Sequence, residues 1–143
     1  MNSDFLDAHR RHWDDAEFLF NTSRWANADH LYGVVAECGL KRLMMAFGMK
    51  LGPEGTPEDR DNRAHVMEAR KRTNAWERYE TYRSGHHEGA SYGLPAANPF
   101  QDWDVSQRYA HRHHFGELCV APHRRGASLV HGLIKNAEKA GLL

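Results

Sequence analysis

Between Ala26 and Phe47 the chain runs for 22 residues without a proline. Its apolar side chains Leu31, Val34, Val35, Cys38, Leu40, Leu43, Met44 and Phe47 would fall on nearly every side of a helix. A helix that is apolar all round belongs in the middle of a protein, so the remaining segments must cover it. Within this stretch Glu37 and Lys41 sit four residues apart in the order that favours an intrahelical ion pair.

The segments on either side have the periods such covers need. Phe5, His9, Trp13, Ala16 and Phe20 recur at steps of three and four, which predicts an amphipathic helix over 4–20 with Ser3 or Asp4 as its cap. Asn21-Thr22-Ser23 ends it. Two prolines and two glycines within Leu51–Pro57 mark a loop. Asp61 or Asn62 can cap a third helix reaching Tyr82, with Ala69, Thr73, Trp76 and Tyr79 on its inner face and Arg70, Lys71 and Arg72 in solvent. The segment 85–99 reads as a long irregular connection. A fourth helix is expected to open at Asp102 or Asp104 and to include Val105 and Tyr109. Pro122, taken as a first helical residue, opens the last one. Arg124 and Arg125 then read as a solvated first turn, and Leu129, Val130, Leu133 and Ile134 make that helix amphipathic up to its end before Gly141. No strand-like alternation of four or more residues is present. The expected fold is a single all-α domain over 1–143, a bundle of four to five helices.

Composition excludes several functions. With 19 Lys+Arg against 19 Asp+Glu and 41% hydrophobic residues, the chain has the balance of a soluble globular domain. It shows no secretory leader and no apolar run near the ~20 residues of a membrane span, which implies a cytoplasmic protein with no membrane partner. Cys38 and Cys119 form no CxxC pair and read as small buried hydrophobes. The tryptophans Trp13, Trp25, Trp76 and Trp103 read as core or dimer contacts rather than base-stacking platforms. Phosphate-binding glycine loops and nucleophile motifs are absent. Charge, however, is uneven: residues 105–143 carry Arg108, Arg112, Arg124, Arg125, Lys135 and Lys139 against Glu117 and Glu138, an anion-attracting segment within a neutral whole.

Seven of the 11 histidines also lie in the last 58 positions, and the richest stretch is Arg108-Tyr109-Ala110-His111-Arg112-His113-His114. Arginine offers phosphate a permanent, forked cation, and histidine can take or give a proton near neutral pH. Together they suit metal-free RNA cleavage: a base removes the 2′-OH proton, the oxygen attacks its neighbouring phosphate, and an acid protonates the leaving oxygen. DNA, lacking that hydroxyl, would be spared. On an ideal helix Arg108 and His113 would lie roughly 140° apart around the axis. They can therefore meet only if the helix breaks or if a second copy supplies the partner.

The chain resembles the HEPN superfamily of small α-helical proteins. The likeness is carried by Ala28–Leu43, with Ala36-Glu37-Cys38-Gly39-Leu40-Lys41 at its centre, followed late in the chain by Trp103–Tyr109 leading to His113, an Arg-x(4–6)-His arrangement. Residues 51–62 and 85–101 lie outside it. The resemblance implies a homodimer whose two Arg/His sets line one cleft. It further implies a metal- and cofactor-independent endoribonuclease of toxin–antitoxin or anti-phage type, restrained by an antitoxin or other regulatory partner. It makes Arg108 the phosphate contact and His113 the acid/base with His114 as substitute. Tyr109, His111, Arg112 and Glu37 become substrate-side residues, Glu37 orienting a motif residue as an alternative to its pair with Lys41. Two departures stand out. Tyr109 follows the arginine where the family often has a polar residue, and Phe115 stands where nucleotidylated relatives carry tyrosine, which makes silencing at that position doubtful. A non-catalytic dimerisation module binding RNA, a nucleotide or a protein is the competing reading. A metal site drawn from His86, His87, His111, His113, His114 and His123 is another.

Overall fold

A computed structural model describes residues 2–68 and 73–143. Among them are four α-helices, α1 (Phe5–Asn21), α2 (Trp25–Ala46), α3 (Ala75–Ser84) and α4 (Glu117–Lys139), and no strand. The all-α class follows. Leu51 and Pro57 make a single antiparallel bridge within their loop. No helix among the described residues is long and apolar enough to cross a membrane.

Helix α2 occupies the centre, with α1, α3, α4 and the turn Val105–Tyr109 packed around it. Tyr32, Val35, Ala36, Leu40, Leu43 and Met44 on it are fully buried. Each large side chain so buried contributes about 1.5–3 kcal/mol. Gly39 lets the neighbouring elements close in, because a Cβ there would press on Val130 of α4 and His9 of α1. Helix α1 begins as its periodicity implies: the Asp4 carboxylate accepts from the backbone N–H groups of Leu6 and Asp7. It ends where Ser23 takes a left-handed φ of 58°.

The third helix is shorter than the sequence implies. Asp59 caps only the 3₁₀ turn Arg60–Arg63, after which the chain extends so that Ala64 and Val66 reach the core. Buried Asn62 instead donates to the Tyr82 hydroxyl at 2.9 Å and accepts from Arg78 Nε at 2.7 Å. The working cap is Asn74, whose side-chain oxygen accepts from Glu77 N–H. Ala69, Arg70, Lys71 and Arg72, expected on this helix, lie outside the described residues.

The fourth expected helix is also replaced. Asp104 and Gln107 form a capping box on the 3₁₀ turn Val105–Tyr109. Ala110 and His111 are extended, and a second turn, Arg112–His114, precedes α4. Helix α4 starts at Glu117, so Pro122 lies inside it. The hydrogen bond this removes is outweighed by the inner face, where Val120, His123, Ala127, Val130 and Ile134 are buried. Arg124 is not a solvated turn residue. It forks onto Glu17 of α1 at 2.9 and 2.7 Å and lies over the Phe20 ring, while Arg125 is exposed. Cys38 is buried as expected, but Cys119 is exposed. Trp76 and Trp103 are core residues, and Trp13 and Trp25 pack partly buried against the core. The connection 85–99 is anchored by Tyr79, whose hydroxyl donates to Tyr92 O at 2.6 Å, and by Asn98, which donates to Val66 O at 3.0 Å.

Candidate functional site

One face of α2 organises the chemistry. His30, Gly33, Glu37 and Lys41 recur at three- and four-residue steps and so form a stripe along that helix. The Trp103 indole rests on Gly33, where a Cβ would overlap the ring, and its Nε1–H donates to Asp29 O at 3.1 Å. His30 stacks on this indole with centroids 6.0 Å apart and planes 13° apart. His65, arriving from the loop before α3, meets the same ring edge-on at 6.4 Å.

Glu37 is engaged at both oxygens. It accepts from Lys41 Nζ at 2.6 Å and pairs with His65 Nδ1 at 2.8 Å. The intrahelical pair is therefore present, and the carboxylate's other contact is His65 rather than a residue of the 108–114 segment. Burial pushes the Glu37 carboxyl up, but the His65 hydrogen bond and the Lys41 charge outweigh it and hold it below the usual range. The same hydrogen bond raises His65. His30 goes the other way, lowered by burial and then by the Arg108 charge. Its Nδ1 is buried without a hydrogen-bond partner, so protonating the ring would leave a buried N–H unsatisfied.

The residue of α2 that does reach the Arg108 turn is Asp29. One of its oxygens accepts from Gln107 Nε2, and the other pairs with His123 Nδ1 of α4 at 2.6 Å. His123 Nε2 pairs in turn with Asp102 at 2.9 Å. Burial alone would lower the His123 pKa, but the two carboxylates outweigh it and raise it. This network ties α2, α4 and the turn Val105–Tyr109 together. Sequence reasoning gave Asp29 no role and weighed His123 only as a metal ligand. The available signal was an acidic residue placed in the most apolar helix of the chain.

Beyond that anchor the chain is open to solvent. Arg108 is exposed, with its guanidinium 4.9 Å from the Tyr109 ring. Tyr109 is 79% exposed and Leu118 92%. His111 Nδ1 accepts from His113 N–H at 3.3 Å and lies 2.6 Å from His113 Nδ1, and the His113 and His114 rings are 3.9 Å apart. Arg108 and His113 thus stand on successive turns rather than on one helix. The break falls at Ala110–His111, ahead of Gly116. Arg112 and Phe115 border a cleft of about 340 Å³ against residues 23–27 at the α1–α2 corner.

The histidines weighed as metal ligands separate. His123 is held by carboxylates on both nitrogens. Among the described residues one group of three, His86, His87 and Glu88, brings its ligand atoms within 4.8 Å, on the connection between α3 and the turn Gly89–Tyr92. His86 Nδ1 there already accepts the Glu88 backbone N–H at 3.2 Å.

No protein-family model matches the chain, and no curated protein or solved structure matches it either.

Proposed function

We propose that the chain is a metal-independent endoribonuclease of the HEPN type. Arg108 holds the scissile phosphate, imidazoles carry the protons of 2′-OH attack, and the cleft forms where two copies meet through the exposed strip 108–118. The observation that carries this reading is the contrast within one short segment: a base locked by Asp29, Gln107 and Asp104, and a tip whose arginines and histidines are all exposed. A phosphate is best served by cations that are presented outward on a fixed support. Exposed Tyr109 and Leu118 supply the apolar surface that a second copy would cover. His113 and His114 are the imidazoles that the Arg-x4-His spacing brings to that contact, with His111, Arg112 and Tyr109 beside them. A toxin or defence role, with an antitoxin or regulatory protein as the restraint, belongs to the same proposal.

The test is cleavage of single-stranded and tRNA-like RNA by the full chain in EDTA. Fragments ending in 2′,3′-cyclic phosphate, with a rate about 10²-fold lower for Arg108→Ala, support the reading. RNA retained on the protein but never cut would make the domain a binding module instead.

A further inference from the structure

The catalytic groups leave unused a cleft of about 340 Å³ between the α1–α2 corner and the turn Arg112–His114. Both of its walls are held by the backbone. On one side Ser23 takes its left-handed φ and Arg24 N–H donates to Leu19 O at 2.8 Å, which sets the entry of α2. On the other, Phe115 N–H donates to Arg112 O at 3.1 Å and ties together the two residues that border the cleft there. Trp25 stands edge-on against Phe20 with centroids 5.0 Å apart, and both Trp25 and Phe115 are half-buried, packing on the core while lining the cleft.

Charge singles this cleft out. Arg24 lines it from the corner and Arg112 from the turn, both exposed, and among the described residues its lining holds no carboxylate. Arg10, Arg78, Arg83 and Arg124 are each paired with a carboxylate, whereas among the described residues Arg24 and Arg112 have no such partner. Two unpaired guanidinium groups beside two aromatic rings suit one ligand chemistry, a planar base with a phosphate attached. The volume lies near the lower end of small-molecule sites, about 300 Å³, which fits a single nucleotide. A base stacked and paired within a duplex cannot enter it.

We propose that this cleft is the subsite for one unpaired nucleotide of the RNA, its base against Trp25 and Phe115 and its phosphate on Arg24 and Arg112. The inference rests on the nuclease reading and deepens it by naming the substrate class, single-stranded RNA. Arg112 precedes His113 and His114 on one 3₁₀ turn, so a phosphate held by Arg112 draws the adjoining linkage toward those imidazoles. The exposed Ser23 and Asn27 of the same lining supply neutral hydrogen-bonding groups for the base edge. All of this lining belongs to one protomer, so pairing of two copies through Tyr109 and Leu118 leaves each copy its own subsite.

The test uses the full chain and a short single-stranded 2′-fluoro RNA, which lacks the attacking hydroxyl and so binds without being cut. The expected result is a shift of the Trp25 indole N–H signal in NMR, with binding weakened about ten-fold by Arg24→Gln and by Trp25→Leu. Arg60→Gln, which removes an exposed cation beyond the other end of α2, should leave binding unchanged, and the duplex form of the oligonucleotide should leave the Trp25 signal in place. An unmoved Trp25 signal, parental binding by Arg24→Gln, an equal loss from Arg60→Gln or an equal response to the duplex overturns the subsite. Because Arg24 is exposed, its variant decides the question even where Trp25→Leu disturbs the packing on Phe20. Cleavage of unmodified RNA separates this inference from the reading beneath it. Cutting at the parental rate by both cleft variants at every RNA concentration means that the subsite falls and the nuclease stands. A 2′-fluoro strand that answers as expected, with unmodified RNA never cut, means that the nuclease reading falls and the nucleotide site stands.

Discussion

His123 and His113 are ten residues apart in sequence, and the fold treats them in opposite ways. His123 is 2% exposed and has a carboxylate for each ring nitrogen, whereas His113 lies in solvent with a neighbouring imidazole as its contact. The same division separates Asp29, at the core end of the Val105–Tyr109 turn, from Arg108 at its outer end. A buried ion pair is seldom a good source of stability, because desolvating both charges costs about what their attraction returns. Its value here is positional. The pair fixes where the turn sits on α2, and through Gln107 it holds that turn while the residues beyond stay exposed.

That contrast can be broken most forcefully at its buried end. Asp29→Ala would take the carboxylate from Nδ1 of the buried His123 ring, and the expected loss is about 3–5 kcal/mol of unfolding free energy, read from urea denaturation. A loss no larger than that of an ordinary surface change would show that the network carries no positional weight. Gly33→Ala comes next. The added methyl must displace the Trp103 indole, a rigid ring hydrogen-bonded at Asp29 O, at a cost of about 1–3 kcal/mol with a shifted tryptophan emission.

The pH dependence sharpens the comparison further, because two histidine sites contribute with opposite sign. The His123 pKa is raised on folding, so its contribution is fully present below about pH 6.5 and declines as pH rises through the higher folded value. At the α1–α4 contact, His9 Nδ1–H donates to Val35 O, leaving Nε2 to accept from His131 Nδ1 at 3.0 Å. Burial and the neighbouring His9 push His131 down to about 4. Stability from that pair is present above about pH 6.5 and is lost as pH falls toward about 4. Thermal melts across pH should therefore show an acid limb that His131→Gln flattens and an alkaline decline that Asp29→Asn removes.

The smallest effect belongs to the open end. Tyr109→Ser and Leu118→Ser should change the unfolding free energy by no more than about 0.5 kcal/mol, yet reduce self-association in sedimentation. A large stability loss would mean that these side chains are packed rather than presented.

The central helix was readable because its apolar residues announce burial whichever way it turns, and α1 because Asp4 and a clean period agree. The next two helices were misjudged for one reason. A capping aspartate looks the same before a 3₁₀ turn as before an α-helix, and what decides is where the chain beyond it is needed, here Val66 in the core and Gln107 on Asp29. Pro122 misled similarly, since the inner face of α4 begins before it. Arg108 and His113 stood out by residue type. The meeting of His30, His65 and Trp103 could not be read, because it joins three segments through a glycine that reveals its purpose only when an indole lies on it.

The most direct test of the account is cleavage of an RNA carrying a single 2′-deoxy substitution at its cut site, in EDTA. The account predicts that cutting stops at that linkage and continues at unmodified ones, with cyclic-phosphate ends. Undiminished cutting at the deoxy linkage would contradict it.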